Sequence, residues 1–206
     1  MMTILYLVKT SGEAAMRVSQ QEKARSRARI VDSASRAFRA RGVEGASVGD
    51  VMKEAGLTHG GFYRHFESKD ALLAAALEAA FAEMIGRVTD GLQAEAPDDV
   101  RRAFQTFYLS AGHLAAPETG CPAGALSGDI ARADGAVKRA FGGGLLRMID
   151  AFAATFTGSS ADPRREAMRE FAMLVGAVML ARASDPEMAG TILRTCGASD
   201  EAEAAA

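Results

Sequence analysis

Residues 47–69 read S-V-G-D-V-M-K-E-A-G-L-T-H-G-G-F-Y-R-H-F-E-S-K. Ser47 is a good N-cap, because its hydroxyl can accept from an orphan amide in the first turn of a helix. Val48, Val51, Met52 and Ala55 then recur at helical spacing. Gly56 supplies a left-handed position that stops the helix, and Leu57 is placed to pack back behind it. Thr58 is placed to cap a second, very short helix that carries Phe62, Tyr63 and Phe66. Ser68 caps the next, with Asp70 in its first turn and Leu72, Leu73, Leu77 and Phe81 on one apolar face. A helix, a glycine turn and a short helix opening on small polar residues make a helix-turn-helix, an arrangement that fits the major groove of DNA.

The wording of the stretch resembles the TetR-type transcriptional regulators in Val48, Val51, Ala55-Gly56-Leu57-Thr58, Gly60, Phe62-Tyr63-Arg64-His65-Phe66, Ser68-Lys69 and Leu72. The resemblance is most specific from Gly60 to Leu72 and covers roughly residues 22 to 85. Beyond that the chain agrees only in length and helical character. Met52 stands where the family usually has a small residue, and Gly61 where a larger one is common. The resemblance implies an all-α protein, in which a three-helix DNA-binding domain precedes a larger helical domain for effector binding and dimerisation.

Working outward, 206 residues are enough for one large or two small domains. A hydrophobic content of 49%, no Trp and only five Pro favour helices. Two Cys make no disulfide framework and point to a reducing, cytoplasmic home. No apolar run approaches the length of a membrane span. The net charge of −2 conceals an asymmetry: residues 17–69 carry eleven Lys/Arg against six Asp/Glu, and residues 70–206 carry twelve against nineteen. A basic first third ahead of an acidic remainder suits a nucleic-acid module joined to a separate domain.

Four segments follow: an extension over 1–19, the DNA-binding domain over 20–86, the effector and dimerisation domain over 87–197, and a disordered tail over 198–206. Ile4 to Val8 is too short for a signal peptide, so residues 1–15 are expected to be loose. A helix from about Gln20 to Arg41 has Ile30, Ala34, Ala37 and Phe38 inside, Val31 beside them, and Gly42 as its stop. The helix starting at Asp70 is expected to bridge the domains without a Pro/Gly linker. Later helices are expected from Asp98 or Asp99 through Leu114, and over about Pro122 to Arg132. Another is capped by Asp134 and carries Val137, Phe141, Leu145, Met148, Ile149, Phe152 and Phe156. After a loop at Gly158-Ser159-Ser160, Asp162-Pro163 and Asp185-Pro186 start the last two. Gly142-Gly143-Gly144 falls within a helical pattern, which predicts close packing or a kink.

At the DNA site, His59 and Arg64 are equipped for base edges, and Arg suits the O6/N7 pair of guanine. Gly60 and Gly61 let the backbone come close. Thr58 reaches a phosphate while capping, Ser47 stands at the start of the preceding helix, and Arg25 and Arg27 among the basic residues ahead are placed for phosphates. The resemblance implies that Tyr63, His65 and Lys69 also bind phosphates. A lone unit reads few bases, so a homodimer on a palindromic double-stranded operator is expected. The run Phe171 to Leu180 is either buried core or, as the resemblance implies, part of a four-helix dimer interface. The interface is favoured.

The resemblance also implies a pocket for an unidentified small-molecule inducer, with Phe104, Phe107, Tyr108, His113, Met148 and Phe152 as candidate lining. Pro122 at a first helical position puts Cys121 at an N-cap, where the helix dipole lowers a thiol pKa, so a thiol-reactive inducer is a second expectation. The His residues have no metal-ligand spacing, and neither a cofactor nor a metal is expected. No phosphate loop or nucleophile elbow points to an enzyme. The remaining alternative is a helical dimeric adaptor without sequence-specific DNA binding.

Overall fold

The structure, a computed structural model, describes residues 2–133, 135–157 and 161–197, with side chains from residue 20 onward. It consists of helices α1 (Met2–Gly45), α2 (Val48–Glu54), α3 (Lys69–Ala94), α4 (Pro97–Tyr108), α5 (Ala111–Ala115), α6 (Pro122–Ala131), α7 (Gly135–Ala153), α8 (Pro163–Arg182) and α9 (Pro186–Cys196). Two 3-10 turns, His59–Arg64 and Pro117–Thr119, interrupt the series, and no strand occurs among the described residues. No helix among them is long and apolar enough to cross a membrane. Asp134, the loop 158–160 and the tail 198–206, for which a cap, a turn and disorder were expected, lie outside the described residues.

The chain packs around two apolar clusters. Ile30, Ala34 and Phe38 of α1 meet Val51 and Met52 of α2, Phe62, Phe66, and Leu72, Leu73 and Leu77 of α3 in the first. The second joins Phe81, Met84 and Val88 of α3 to Phe104 and Tyr108 of α4, Met148 and Phe152 of α7, and Phe171 and Leu174 of α8. One unbroken helix, α3, therefore contributes to both. Its first half closes the helix-turn-helix and its second half belongs to the larger bundle. Leu126 and Ile130 of α6 reach back into the first cluster, so α6 also touches both parts.

A polar contact reinforces that junction. Arg39 of α1, its side chain 3% exposed, donates to the Gly120 carbonyl at 2.7 Å and to the Glu83 carboxylate of α3 at 3.2 Å. Close by, the Val43 amide donates to Asp129 of α6 at 3.2 Å. On the other side Arg182 of α8 donates to the carbonyls of His113, Leu114 and Gly124. Arg182 thus ties together both ends of the segment from His113 to Gly124, and Arg39 holds it at Gly120.

Several elements differ from expectation. The first helix begins at Met2, through the segment expected as loose, although it does break at Gly42 as expected, with φ 74° there. The helix expected from Asp98 to Leu114 is two. Ser110 accepts from the His113 amide and donates to the Phe107 carbonyl, so its side chain competes with the helical ladder and restarts it as α5. The helix carrying Phe152 ends at Ala153, where Thr155 Oγ1 donates to the Phe152 carbonyl, and Phe156 lies beyond it. The glycine triplet sits in an unbroken α7. Close packing is its reason, since a Cβ on Gly144 would overlap the ring of Phe81.

Candidate nucleic-acid interface

The turn after α2 is fixed from within and from α1. Ala55 is the C-cap and Gly56 has φ 67°. The Gly56 amide donates to the Lys53 carbonyl and the Leu57 amide to the Met52 carbonyl, both at 2.9 Å, which is the paired pattern of a Schellman ending. Arg29 of α1 donates to the Ala55 carbonyl, and Ser33 donates to the Val51 carbonyl at 3.0 Å. Arg29, exposed like Arg25 and Arg27, is therefore also a bracing residue. At the other end of α2, Ser47 Oγ accepts from the Asp50 amide at 3.1 Å and donates to the Asp50 carboxylate at 2.6 Å. That hydrogen bond holds the Asp50 carboxyl below its ordinary pKa.

The reading segment is a 3-10 turn rather than an α-helix. Consecutive glycines at 60 and 61 weaken helical propagation, and the tighter turn suits so short a run. Thr58 holds the N-cap position without a side-chain cap bond, while its carbonyl accepts from the Gly61 amide at 3.0 Å. His59, Gly60, Tyr63 and Arg64 are exposed, Tyr63 at 74%. Phe62 and Phe66 are buried and stacked, with centroids 6.0 Å apart, as core residues. His59 lies near Ser47 across Gly49. Lys69, half-buried, begins α3, whose cap Ser68 accepts from the Ala71 amide.

A positive cluster forms where α1 passes the end of this turn. His65 is half-buried with an unpartnered Nδ1, and burial lowers its pKa, helped by the charges of Lys23, Arg27 and Arg64. The guanidinium of Arg27 lies 4.6 Å above the Phe66 ring. The fold thus gathers Arg27, Arg64 and His65, brings in Lys23, and sets Ser47 beside His59. It places Arg25 on the exposed face of α1 with no partner among the described residues.

The residues expected to line an effector pocket fall into two groups. Phe104 and Phe107 border a cleft of about 220 Å³ together with Arg87 and Glu95. Tyr108, His113, Cys121, Met148 and Phe152 are closely packed in the second core. Within it His113 Nδ1 donates to the Tyr108 carbonyl at 2.6 Å, which leaves Nε2 to accept from the Cys121 amide at 3.1 Å. Burial lowers the pKa of His113 and keeps the ring neutral, the state this pairing needs. Cys121 does hold the N-cap position of α6, but its thiol is fully buried. Burial raises the thiol pKa and outweighs the hydrogen bonds from the start of α6 that lower it. The expected activated thiol is therefore corrected to a protonated, enclosed one. Among the described residues no group of three or more His, Cys, Asp or Glu is placed to hold a metal.

The model of the bacterial regulatory proteins of the tetR family matches residues 30–76, the span from α1 through the reading turn into α3. That segment is a tetR-family DNA-binding domain. Over 64 residues the chain is 38% identical to the HTH-type transcriptional regulator TtgR of Pseudomonas putida, a span of 31% of this chain and 30% of that protein. The fold likeness extends much further. A TetR transcriptional regulator from Chloroflexus aurantiacus superimposes with a TM-score of 0.67 at 26% identity, covering 85% of this chain and 92% of the other. The reduced form of E. coli NemR gives 0.69 at 23% identity, covering 83% and 94%.

Within this tetR-family domain the two departures from the usual wording are neighbours. Met52 is buried, and its Cε would lie 3.7 Å from a Cβ on Gly61. The two positions thus face each other at ordinary contact distance.

Proposed function

We propose that this chain is a DNA-binding transcriptional regulator that acts as a homodimeric repressor on a palindromic operator and is released by a small molecule. The observation that carries the reading is the convergence of Tyr63, Arg64, His65, Lys23 and Arg27 at the exposed end of a rigidly braced helix-turn-helix. Cations so placed neutralise phosphates on either side of a groove, while His59 and Arg64 face outward for base edges. Thr58, Lys69, Ser47 and Arg25 extend the phosphate-facing rim.

Gly60 and Gly61 support the same reading. Neither has positive φ, a Cβ on Gly60 would meet nothing within 4 Å, and one on Gly61 would make only ordinary contacts. Internal packing does not require glycine at 60, so an external surface close to the backbone is the physical reason for it. Because α3 runs from the reading turn into the second core, a shift of the larger bundle moves the reading head directly. In a dimer it alters a separation that must match about 34–36 Å, one turn of DNA.

The test is a fluorescence-anisotropy titration on the DNA just upstream of the chain's own gene, at two salt concentrations, with random DNA as control. Tight, salt-sensitive binding to that fragment, weakened at least tenfold by Tyr63→Ala, is the expected result. Equal binding to both DNAs removes operator specificity. No binding at low salt sinks the regulator reading and favours a helical adaptor.

A further inference from the structure

We propose that DNA binding by this chain is coupled to the uptake of one proton at His65, so that DNA is held more tightly as the pH falls through the neutral range. The DNA partner rests on the function proposed above, whereas the state of His65 in the free chain does not depend on it.

The backbone fixes where the ring stands. His65 is the C-cap of the reading turn, and its amide donates to the Phe62 carbonyl at 2.9 Å. The next amide, that of Phe66, donates to the same carbonyl at 3.1 Å, and the Phe66 ring is buried and stacked on Phe62. The imidazole is thus carried half-buried between an exposed Arg64 and a buried Phe66. Its Nδ1 is enclosed and has no hydrogen-bond partner among the described residues. A charged imidazole holds a proton on both nitrogens, so charging it places an N–H where no acceptor stands.

The neighbours oppose the same charge. Lys23 and Arg27 act on His65 from α1 and Arg64 from the reading turn, while α2 and α3 add no charge to the set. All three are cations, and none of them ion-pairs with a carboxylate among the described residues. Burial and these charges hold the ring below its ordinary pKa and neutral at neutral pH. DNA reverses the balance. Phosphates that pair with Lys23, Arg27 and Arg64 cancel the charges that repel a proton on His65, and a phosphate beside the ring attracts it. The pKa therefore rises in the complex, and a proton is taken up as the complex forms. Affinity is constant below the pKa of the free chain, where the ring is charged with or without DNA. It falls as the pH rises from there to the pKa of the complex, by at most about tenfold per pH unit for one proton.

The test is a fluorescence-anisotropy titration of the full chain at constant low salt, at pH 6.0 and 7.5. It uses the upstream fragment and a random duplex, whose phosphates are the same. Affinity for both should be at least about threefold tighter at pH 6.0. His65→Gln, which cannot titrate, should lose that dependence, and His59→Gln should keep it. The reverse outcome overturns the assignment to His65. Proton NMR of the wild-type chain reads the ring without any variant. The assigned His65 signal should titrate below 6.5 in the free chain, and its midpoint should rise by about one pH unit or more with the random duplex. An unchanged midpoint, or an affinity that does not vary with pH, overturns the coupling even where the upstream fragment is bound tightly. Binding to neither DNA at either pH overturns the coupling and the regulator together. A rise of the midpoint on random duplex without preference for the upstream fragment leaves the proton uptake standing and removes the operator.

Discussion

Gly56 and Gly60 lie four residues apart and are glycine for opposite reasons. Gly56 has φ 67°, and the Arg29 guanidinium occupies the space beside it, 2.5 Å from where a Cβ would stand. An L-residue there costs about 1–2 kcal/mol for the left-handed backbone, before Arg29 is displaced from the Ala55 carbonyl. Gly56→Ala is expected to lower unfolding stability by at least that amount in a urea titration. Gly60→Ala meets open space at ordinary φ, so its stability should stay within about 0.5 kcal/mol of wild type while its affinity for the upstream DNA falls. Loss of stability without loss of binding in Gly60→Ala would show an internal role instead. The histidines give a prediction of their own. His113, facing Tyr108, Cys121, Arg182 and Arg87, titrates below its ordinary value of 6.5, and His65, beside Lys23, Arg27 and Arg64, does so too. The unfolded chain therefore takes up protons first as the pH falls. The stability is fully present above about pH 6.5 and declines below it, with a slope of at most about 1.4 kcal/mol per pH unit for each group. Stability curves from pH 7.5 to 5 should show this decline, and His113→Gln should flatten it in part.

The elements show which signals a linear reading can hold. Ser47, Gly56, Ser68, Asp162 and Asp185 mark helix ends as expected, because a cap is decided by a few consecutive residues. The helix-turn-helix core was legible for the same reason: Ile30, Phe38, Val51, Phe62, Phe66 and Leu72 sit at helical spacing and are all buried. The break at Ser110 was not, since Ser110 and Gly112 end a helix only when no tertiary contact holds it together. The effector residues are less legible. Aromatic character marked Phe104, Phe107, Tyr108 and Phe152 alike, and only the fold separates Phe104 and Phe107, which border a cleft, from Tyr108 and Phe152, packed in the second core. Arg39 reads as one more cation on a basic helix, and only the fold brings it 81 positions along the chain to Gly120. Its removal is a test at this scale. In Arg39→Met the buried Gly120 carbonyl loses a charged donor, a cost of about 1–3 kcal/mol. Glu83 is half exposed and rehydrates, so its share is small. Denaturant unfolding should report the loss, with amide exchange rising in the Pro117–Thr119 turn and at the start of α6. Unchanged exchange there would show that Arg39 does not hold the two clusters together.

At the scale of the molecule, the remaining question is what covers α8. Its apolar run divides cleanly: Phe171, Leu174, Ala177 and Val178 point inward, while Met173, Met179 and Leu180 are exposed, Leu180 at 61%, with Met188 of α9 close in sequence to the same end. A monomer has no reason to present large side chains from its two last helices to water, and exposed patches of that kind mark association surfaces. An isologous dimer through α8 and α9 would cover them and set two basic reading heads on one side of an acidic body. Light scattering should then give a dimer for the wild-type chain. Leu180→Glu places a charge in the middle of the contact and should yield a monomer of unchanged helical content, because Leu180 contributes little to the fold of one chain. Such a monomer retains the whole DNA site but meets only one half of a palindrome, so its affinity should fall more than tenfold with its reading turn intact. A Leu180→Glu protein that stays dimeric would place the interface on another face, and one that is monomeric yet binds DNA as tightly as wild type would remove the need for a dimer altogether.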